Sequence, residues 1–326
     1  MCPPVFLLLH PLPGLREAQR RRTGGHMGPP LQKKESMTDE VWTPLKLINW
    51  TKDYFQRRGI EDPRLEAELL LAHALGWKRI DLYSRFETPV PADKLGEFRA
   101  MVKRRANREP AQYIVGTTEF CGLEFKTDRR ALIPRPETEI ILDVLATLVK
   151  PDDRALLVDI GTGSGCIAVT AAVRFPSAHV VACDVSAQAL SLAGENAGRH
   201  EVGGRIEFRE GDFAQALADL AGTVDVAMAN PPYVSEAELP GLAPELREHE
   251  PRVALVSGPE GTELQTRLLD FAPRLLKPGG HLVMEIGFRQ ATRVRAMAAG
   301  HPPLELVRFE KDHAGIDRTA VIRKKP

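Results

Sequence analysis

The tract that most restricts the fold lies in the middle of the chain, where an apolar run ends in a glycine-rich loop. Residues 155–160 read Ala-Leu-Leu-Val-Asp-Ile, and Gly-Thr-Gly-Ser-Gly follows at 161–165. An apolar run of this kind is typical of a strand buried on both faces of a parallel sheet. Glycines after such a strand let a ligand approach the backbone and the amides of the next helix closely. The loop alone is also compatible with a nicotinamide oxidoreductase.

A carboxylate follows the next apolar run. Residues 179–183 predict a second strand, and Asp184 comes directly after it. An acid at this point, about twenty residues beyond a glycine loop, can accept hydrogen bonds from both hydroxyls of a ribose. A nicotinamide enzyme would predict the spacing Gly-x-Gly-x-x-Gly. The glycines here stand at 161, 163 and 165 instead, which disfavours that class.

A third motif lies at the end of another apolar run. Residues 224–229 predict a buried strand, and Asn230, Pro231, Pro232 and Tyr233 follow it. In open α/β sheets, ligands bind at the carboxyl ends of the strands. The prolines remove two N–H donors, Asn230 adds an acceptor and two donors, and Tyr233 adds a flat apolar face. This group suits a planar ligand that carries an NH2. The alternative is a plain strand end marked by Pro-Pro.

Strands and helices alternate through the rest of the chain, which predicts a doubly wound α/β domain. Phe213 follows a predicted strand at 206–208 and is expected either against an adenine ring or in the core. The last two strands, 304–309 and 318–323, are expected to form an antiparallel hairpin. The acidic stretch from 234 to about 254 is expected to be a long loop that covers the site.

The apolar spacing from about residue 43 to 107 is helical and predicts a small bundle. Gly59 and Gly76 are expected to end its first two helices. His73 falls on the predicted apolar side and is expected to be a packed core residue. A basic group at 103–108 is interpreted either as a solvated helix face or as a docking site for an acidic partner.

Residues 110–140 connect the bundle to the α/β domain. Residues 112–125 predict a short hairpin, and residues 132–139 read Leu-Ile-Pro-Arg-Pro-Glu-Thr-Glu. We call residues 132–139 the strap. Its two prolines stiffen it, and Thr138 is expected to help cap the next helix. Spacing alone does not separate a rigid interdomain connection from a wall of the active site.

Composition argues against several classes of protein. The chain has 326 residues, enough for two domains, and its 44 basic and 44 acidic residues balance, so no net field favours nucleic acid or membrane. The four cysteines never form C-x-x-C, which fits reduced thiols in a cytosol rather than a zinc site. No apolar run reaches the length of a membrane span. Residues 1–36 do not read as a signal peptide. They are interpreted as a disordered extension or sequence upstream of the true start, with an organelle transit peptide as the alternative.

Taken together, the glycine loop, the acid after the second strand and Asn-Pro-Pro-Tyr after the fourth resemble the class I S-adenosylmethionine-dependent methyltransferases. From about residue 43 to 326 the chain more closely resembles the peptide chain release factor glutamine methyltransferases, which modify the N5 amide nitrogen of a protein glutamine. The stretches that carry this resemblance are 111–116, 132–139, 159–165, 230–233, 250–251, 254–255 and 315–318. His249 departs from the family pattern, since an aromatic residue is expected there.

The resemblance implies an α/β fold with a Rossmann-like, seven-stranded class I methyltransferase sheet, preceded by a small all-α bundle. It divides the chain into an extension at 1–36, a helical substrate-docking domain at 37–109, a linker hairpin and strap at 110–140, and the methyltransferase domain at 141–326.

The resemblance also implies the site residues. S-adenosyl-L-methionine would be bound by Gly161, Thr162, Gly163, Ser164, Gly165, Asp184, Phe213 and Asn230. The catalytic group would be Asn230, Pro231, Pro232 and Tyr233, which also bind the glutamine amide. Arg135 would line the same site. The product would be S-adenosyl-L-homocysteine, and no metal is expected.

The expected function is methylation of the glutamine in the GGQ motif of class 1 release factors, which tunes translation termination in the cytoplasm. No membrane and no direct nucleic-acid contact are expected.

The rival acceptors are a ribosomal-protein glutamine and the exocyclic amine of adenine in DNA or RNA, because Asn-Pro-Pro-Tyr suits an NH2 on any planar group. A DNA enzyme also needs phosphate contacts and base flipping. The small N-terminal bundle and the balanced charge disfavour a DNA enzyme and leave RNA open. A non-catalytic adaptor is disfavoured by the intact motifs. The preferred release factor, any second substrate and the oligomeric state are left open.

Overall fold

The computed structural model describes residues 41–326. These residues divide into two compact units, 41–107 and 108–326. The interpretation of residues 1–36 lies outside the described residues. In the part of the chain that the structure covers, no helix is both long and apolar enough to cross a membrane.

The first unit is the predicted helical bundle. Its helices are α1 (Pro44–Arg57), α2 (Pro63–Leu75), α3 (Asp81–Ser84) and α4 (Ala92–Ala106). The Thr43 side chain caps α1 by accepting a hydrogen bond from the Lys46 amide. Gly76 ends α2 with a φ of 66°, a left-handed conformation that glycine adopts without strain. The predicted glycine stop after α2 is therefore confirmed.

The prediction for His73 was wrong. The core of the bundle contains Phe55, Leu70, Leu71 and Phe98, all at 1 % exposure or less. His73 lies in the same helix as the two leucines, but its side chain is exposed to solvent. Alanines at 72 and 74 are buried instead. Because α2 is apolar on more than one side, the periodicity of its sequence did not single out the buried face.

The second unit begins with the hairpin predicted from residues 112–125. Helix α5 (Ala111–Val115) leads into strands β1 (Thr117–Phe120) and β2 (Leu123–Lys126), which pair antiparallel. The rings of Phe120 and Phe125 meet edge to face with centroids 6.0 Å apart. Both phenylalanines belong to the main hydrophobic core, so this hairpin is an integral part of the second unit.

The remaining elements alternate as predicted. The further helices are α6 (Glu139–Leu148), α7 (Cys166–Arg174), α8 (Ala187–Arg199), α9 (Phe213–Ala216), α10 (Pro244–His249), α11 (Arg252–Leu255), α12 (Glu263–Leu275) and α13 (Ala291–Ala299). The further strands are β3 (Leu156–Ile160), β4 (His179–Asp184), β5 (Ile206–Glu210), β6 (Val224–Ala229), β7 (Val234–Ser235), β8 (Val256–Gly258), β9 (Leu276–Glu285), β10 (Leu304–Lys311) and β11 (Asp317–Lys324).

Seven of these strands form one sheet in the order β10-β11-β9-β6-β3-β4-β5. Strands β3, β4, β5, β6 and β9 pair parallel to one another. Strand β11 is antiparallel to both of its neighbours, β9 and β10. The seven-stranded sheet and its closing antiparallel hairpin confirm the predicted fold class.

Consecutive strand residues face opposite layers of helices. Leu157 belongs to a core cluster that includes residues of α6 and α7. Val158 belongs to a second cluster that includes residues of α12 and α13. Both side chains are at 0 % exposure, because helices cover the sheet on each face. This two-sided burial explains why the strands read as continuous apolar runs rather than as alternating patterns.

The stretch after Tyr233 is not the long loop that was expected. Residues 234–258 contain the parallel pair β7–β8 and the short helices α10 and α11. Val234, Leu242 and Leu255 form a small buried cluster within this segment. The acidic composition favoured the prediction of a loop. The segment is nevertheless ordered, because a few buried apolar residues are enough to anchor it.

Candidate active site

The carboxyl ends of the parallel strands meet at one edge of the sheet, as they must in this fold. A cleft at this edge is lined by the glycine loop, Asp184, Asn230 and part of the strap. Pro251, Val253 and Ala254 of the segment after β7 line it as well. Three of the predicted motifs, which lie far apart in the sequence, are therefore brought together. Residues 251–254 belong to the stretch that was expected to cover the site.

The glycine loop turns sharply between β3 and α7. Gly165, with a φ of 81°, is the residue before α7. A Cβ atom at this position would lie 2.9 Å from the Cβ of Ala193 in α8. Only glycine lets the two helices approach this closely. A Cβ on Gly161 would meet no atom within 4 Å, so the loop leaves open space at its start.

Asp159, near the end of β3, stabilises the glycine loop through hydrogen bonds. Its Oδ2 accepts hydrogen bonds from Thr162 Oγ1 at 2.6 Å and from the Ala168 amide at 3.2 Å. Among residues 41–326, its Oδ1 has no hydrogen-bond partner. Burial raises the pKa of the Asp159 carboxyl to about 7, and these two hydrogen bonds lower it only in part.

Asp184 joins the end of β4 to the glycine loop. Its Oδ2 accepts from the Gly163 amide and its Oδ1 from the Ser186 amide, both at 2.9 Å. Burial raises the pKa of this carboxyl, and hydrogen bonds from the backbone partly offset the rise. Each carboxylate oxygen accepts more than one hydrogen bond, so Asp184 is held in place and still has acceptor capacity toward the cleft.

Asn230 is half-buried and is hydrogen-bonded to a chain of two buried side chains. Its Nδ2 donates to Thr138 Oγ1 at 3.0 Å, and Thr138 Oγ1 donates to Glu285 Oε2 at 2.7 Å. Thr138 and Glu285 are each at 2 % exposure. Within residues 41–326, the Asn230 Oδ1 atom accepts no hydrogen bond. The amide is therefore oriented, with its oxygen left as an acceptor at the cleft.

Tyr233 is held from behind by Gln290. The Gln290 Nε2 atom donates to the carbonyl of Tyr233 at 3.0 Å and to that of Gly261 at 3.1 Å. A Cβ on Gly261 would lie 2.8 Å from the Tyr233 carbonyl oxygen, so the chain passes very close at this point. No donor in the described part of the chain pairs with the Pro231 carbonyl. The backbone of residues 230–233 thus presents a free carbonyl on a fixed support.

Arg135 is committed to an internal ion pair. Its Nη2 atom contacts Glu250 Oε1, and Glu250 Oε2 also accepts from the Ile133 amide at 3.2 Å. The side chains are 14 % and 1 % exposed, respectively. His249, the departure from the family pattern, is half-buried beside Arg129, with Arg129 Nη2 and His249 Nδ1 3.1 Å apart. The Arg135–Glu250 pair ties the strap to the segment after β7. A direct contact of Arg135 with substrate stays a prediction.

Phe213 lies in the core. Its ring packs against Phe271 with centroids 5.4 Å apart, and the Arg267 guanidinium lies 4.8 Å from its centroid. Its exposure is 6 %. These contacts match the core interpretation of Phe213. A contact with an adenine ring stays a prediction.

Glu285 was not among the predicted site residues, and the predicted role of Thr138 was wrong. The Thr138 side chain makes no capping hydrogen bond to α6, so the expectation of a cap was wrong. Its hydroxyl is instead used by Glu285 and Asn230. Glu285 ends a parallel strand at the same edge as Asp184, and the rule that singled out the other strand ends applied to it equally.

The fold and the site define a class I methyltransferase. The PrmC N-terminal domain model matches residues 46–116, and the methyltransferase small domain model matches residues 137–247. The chain is 44 % identical over 258 residues to the release factor glutamine methyltransferase of Geobacter sulfurreducens, covering 79 % of this chain and 89 % of that protein. It is 37 % identical over 294 residues to the protein of the same name from Rhodopirellula baltica, covering 89 % and 99 %.

The chain is similar to a release factor-specific protein-(glutamine-N5) methyltransferase from Alicyclobacillus acidocaldarius, at 26 % identity and a TM-score of 0.37, covering 62 % of this chain and all of that one. The family is shown by the sequence relatives alone. The chain belongs to the release factor glutamine methyltransferases, enzymes that use S-adenosylmethionine.

Proposed function

We propose that this protein methylates the N5 nitrogen of the GGQ glutamine in class 1 release factors, with residues 230–233 as the acceptor site. The observation that carries this assignment is the orientation of Asn230. Its NH2 group is used by Thr138, which leaves the side-chain oxygen to accept a hydrogen bond from an incoming amide. An oriented acceptor beside a free backbone carbonyl suits an NH2 that carries two hydrogens.

The edge formed by β3 and β4 fits the cofactor. The space above Gly161 is open, and the Asp184 carboxylate is held by two backbone amides with acceptor capacity left. Residues 161–165 and Asp184 would hold S-adenosylmethionine, with Asp184 accepting from the ribose hydroxyls. When bound, the cofactor supplies a methyl group activated by a sulfonium. No metal ion takes part in the proposed reaction.

The protein's own contribution is positioning. An amide nitrogen is a weak nucleophile, because its lone pair is delocalised into the carbonyl. Asn230 Oδ1 and the Pro231 carbonyl would accept the two N–H bonds of the glutamine amide, while Pro232 and Tyr233 pack against its plane. This arrangement would hold the plane of the amide fixed, so that the nitrogen lone pair points toward the methyl group of a bound cofactor.

The same contacts favour the transition state. The acceptor nitrogen would gain positive character during methylation, and the hydrogen bonds that its two N–H groups donate to Asn230 Oδ1 and the Pro231 carbonyl would strengthen. One proton then leaves the nitrogen for water. Within this scheme Arg135 acts by holding the strap, through Glu250, as one wall of the site.

Substrate docking is assigned to the helical unit, without direct nucleic-acid contact. Large apolar side chains on its surface, including Trp50 at 42 %, Ile80 at 70 % and Phe86 at 43 %, are exposed. Aromatic residues of this kind are enriched in protein–protein interfaces. A release factor is a folded protein, and a second contact area would supply affinity that a single glutamine cannot.

The Asn230 series tests the acceptor site. Asn230→Ala should reduce single-turnover methylation of a purified release factor by about 10²–10³-fold with little change in cofactor affinity, as for loss of one preorganised partner. Asn230→Asp keeps an acceptor, so its methylation rate should lie between those of the parent and Asn230→Ala. The readout is the mass gain of one methyl group, and a release factor with the GGQ glutamine replaced is the control. An Ala variant as fast as the parent would remove Asn230 from the mechanism.

A further inference from the structure

We propose that Glu285, acting through Thr138, is the positioning residue that decides which way the Asn230 amide points. This inference rests on the proposed function, since it explains how the acceptor oxygen is presented. Each of the two residues is at 2 % exposure. Thr138 lines the cleft, but its hydroxyl is engaged by Glu285 and Asn230, and Glu285 is not among the described residues that line the cleft.

The direction of the hydrogen bonds follows from the chemistry of the three groups. An ionised carboxylate only accepts, and a hydroxyl has one hydrogen to donate. The Thr138 hydrogen therefore goes to Glu285, at 2.7 Å. The Thr138 oxygen is left with lone pairs only, so the group 3.0 Å away on Asn230 must be its NH2. The Glu285 carboxylate thus fixes the side-chain oxygen of Asn230 on the side that faces away from Thr138.

Without that constraint the two ends of the amide are nearly equivalent. A carboxamide has the same shape after a half-turn, so packing alone does not select one orientation. The reversed orientation would present an NH2 to the NH2 of the incoming glutamine, and no hydrogen bond would form. The Glu285 carboxylate does not contact the substrate in this proposal. It nevertheless controls binding of the glutamine NH2, because only an acceptor atom at Asn230 can pair with that group.

The surroundings of Glu285 bring the pKa of its carboxyl close to neutral pH. Burial raises the pKa of its carboxyl to about 7, against the lowering effect of the Thr138 hydroxyl. Glu137 raises the pKa further, whereas Arg318 and the Tyr233 hydroxyl lower it. A protonated Glu285 can itself donate to Thr138. The Thr138 hydrogen is then free, and the constraint on Asn230 is lost.

Three variants separate positioning from packing. Thr138→Val keeps the shape of the side chain and removes the hydroxyl, whereas Thr138→Ser keeps the hydroxyl. Glu285→Gln keeps the size but can donate as well as accept, so it no longer imposes one direction. Thr319→Val is the matched control, because Thr319 lies beside Glu285 in the sheet, is equally buried and has no hydrogen-bond partner for its hydroxyl in the described residues.

The measurement is single-turnover methylation of an intact release factor at saturating S-adenosylmethionine. Thr138→Val and Glu285→Gln should lower the rate by about 10–100-fold, the loss typical when a residue that orients a metal ligand by hydrogen bonding is mutated. Cofactor affinity by calorimetry should be unchanged, Thr138→Ser should recover most of the rate, and Thr319→Val should equal the parent.

The pH profile provides a readout that a purely structural role would not move. The rate of the parent should rise through about pH 7 as Glu285 ionises, and this limb should be absent from Glu285→Gln. The carboxyl of Asp159 also has a pKa raised to about 7. Because Asp159 supports the glycine loop, its effect should appear in cofactor affinity, in the parent and in the variant alike.

The outcomes distinguish the two proposals. If Asn230→Ala is inactive while Thr138→Val and Glu285→Gln match the parent in rate and pH profile, the positioning role is overturned and the acceptor site stands. If Asn230→Ala is fully active, the acceptor site itself is wrong. Loss of rate in Thr138→Ser and Thr319→Val as well as in Thr138→Val would assign the effect to packing and would also overturn the inference.

Discussion

Individual polar side chains at the sheet edge are supported by the backbone before any ligand arrives. Both oxygens of Asp184 already accept from amides, one of which belongs to the glycine loop. Loss of this carboxylate would leave the Gly163 and Ser186 amides unpaired, together with the two hydroxyls that the cofactor is expected to bring. Preorganisation of this kind reduces the entropic cost of ordering the site when the ligand binds.

We therefore expect Asp184→Ala to weaken S-adenosylmethionine binding by roughly 1–3 kcal/mol, the penalty of unsatisfied polar groups. Asp184→Asn, which keeps one acceptor oxygen, should lose less. Calorimetric titration measures both affinities. Asp270→Ala, at an exposed pair with His301, is the control, and an Asp184→Ala protein with parental affinity would contradict the assignment.

At the scale of elements, the strap and the segment after β7 are joined by one buried ion pair. Glu250 receives the Arg135 guanidinium and the Ile133 amide, and Pro251 to Ala254 follow it directly into the cleft wall. Two walls of the site therefore share a single polar anchor. Removing one partner of such a pair leaves the other charge buried without compensation.

Glu250→Gln should lower the free energy of unfolding by about 3 kcal/mol, as when a buried pair loses one member. Replacing both partners, in Arg135→Met with Glu250→Met, should recover much of that loss, because no buried charge then remains. Urea-induced unfolding of the parent, Arg135→Met, Glu250→Met and the double variant gives the coupling energy. Full additivity of the single variants would mean that the pair does not couple the two walls.

At the scale of the whole molecule, the chain consists of two compact units with separate cores. The residues assigned to chemistry all lie in the second unit. The helical unit carries no such group but exposes aromatic surface, including the stacked pair Trp50 and Tyr54 with ring centroids 5.3 Å apart. Separate units permit separate tests of docking and of catalysis.

We predict that Trp50→Ala raises KM for an intact release factor at least about fivefold, as for an interface residue worth more than about 1 kcal/mol. The rate on a short glutamine peptide should not change, because the peptide does not need a second contact area. Val307→Ala serves as the control, since Val307 has a similar exposure of 44 % and lies on the second unit. Equal KM values for the parent and Trp50→Ala would remove Trp50 from the docking surface.

The sequence by itself determined the order and type of most elements and three of the site's segments. Strands buried on both faces read as unbroken apolar runs, and glycine and proline act on the backbone locally, so both signals survive without tertiary information. The rule that strand ends form the site was enough to place Asp184 and Asn230 at one edge.

Only the tertiary structure decided how the polar groups are paired. Thr138 lies 92 residues from Asn230 and 147 from Glu285, and no local pattern links them. The exposure of His73, the core position of Phe213 and the pairing of Arg135 with Glu250 were likewise decided by which neighbours the folded chain supplies. Hydrogen-bond direction and burial belong to contacts between distant residues, and such contacts exist only once the sheet has assembled.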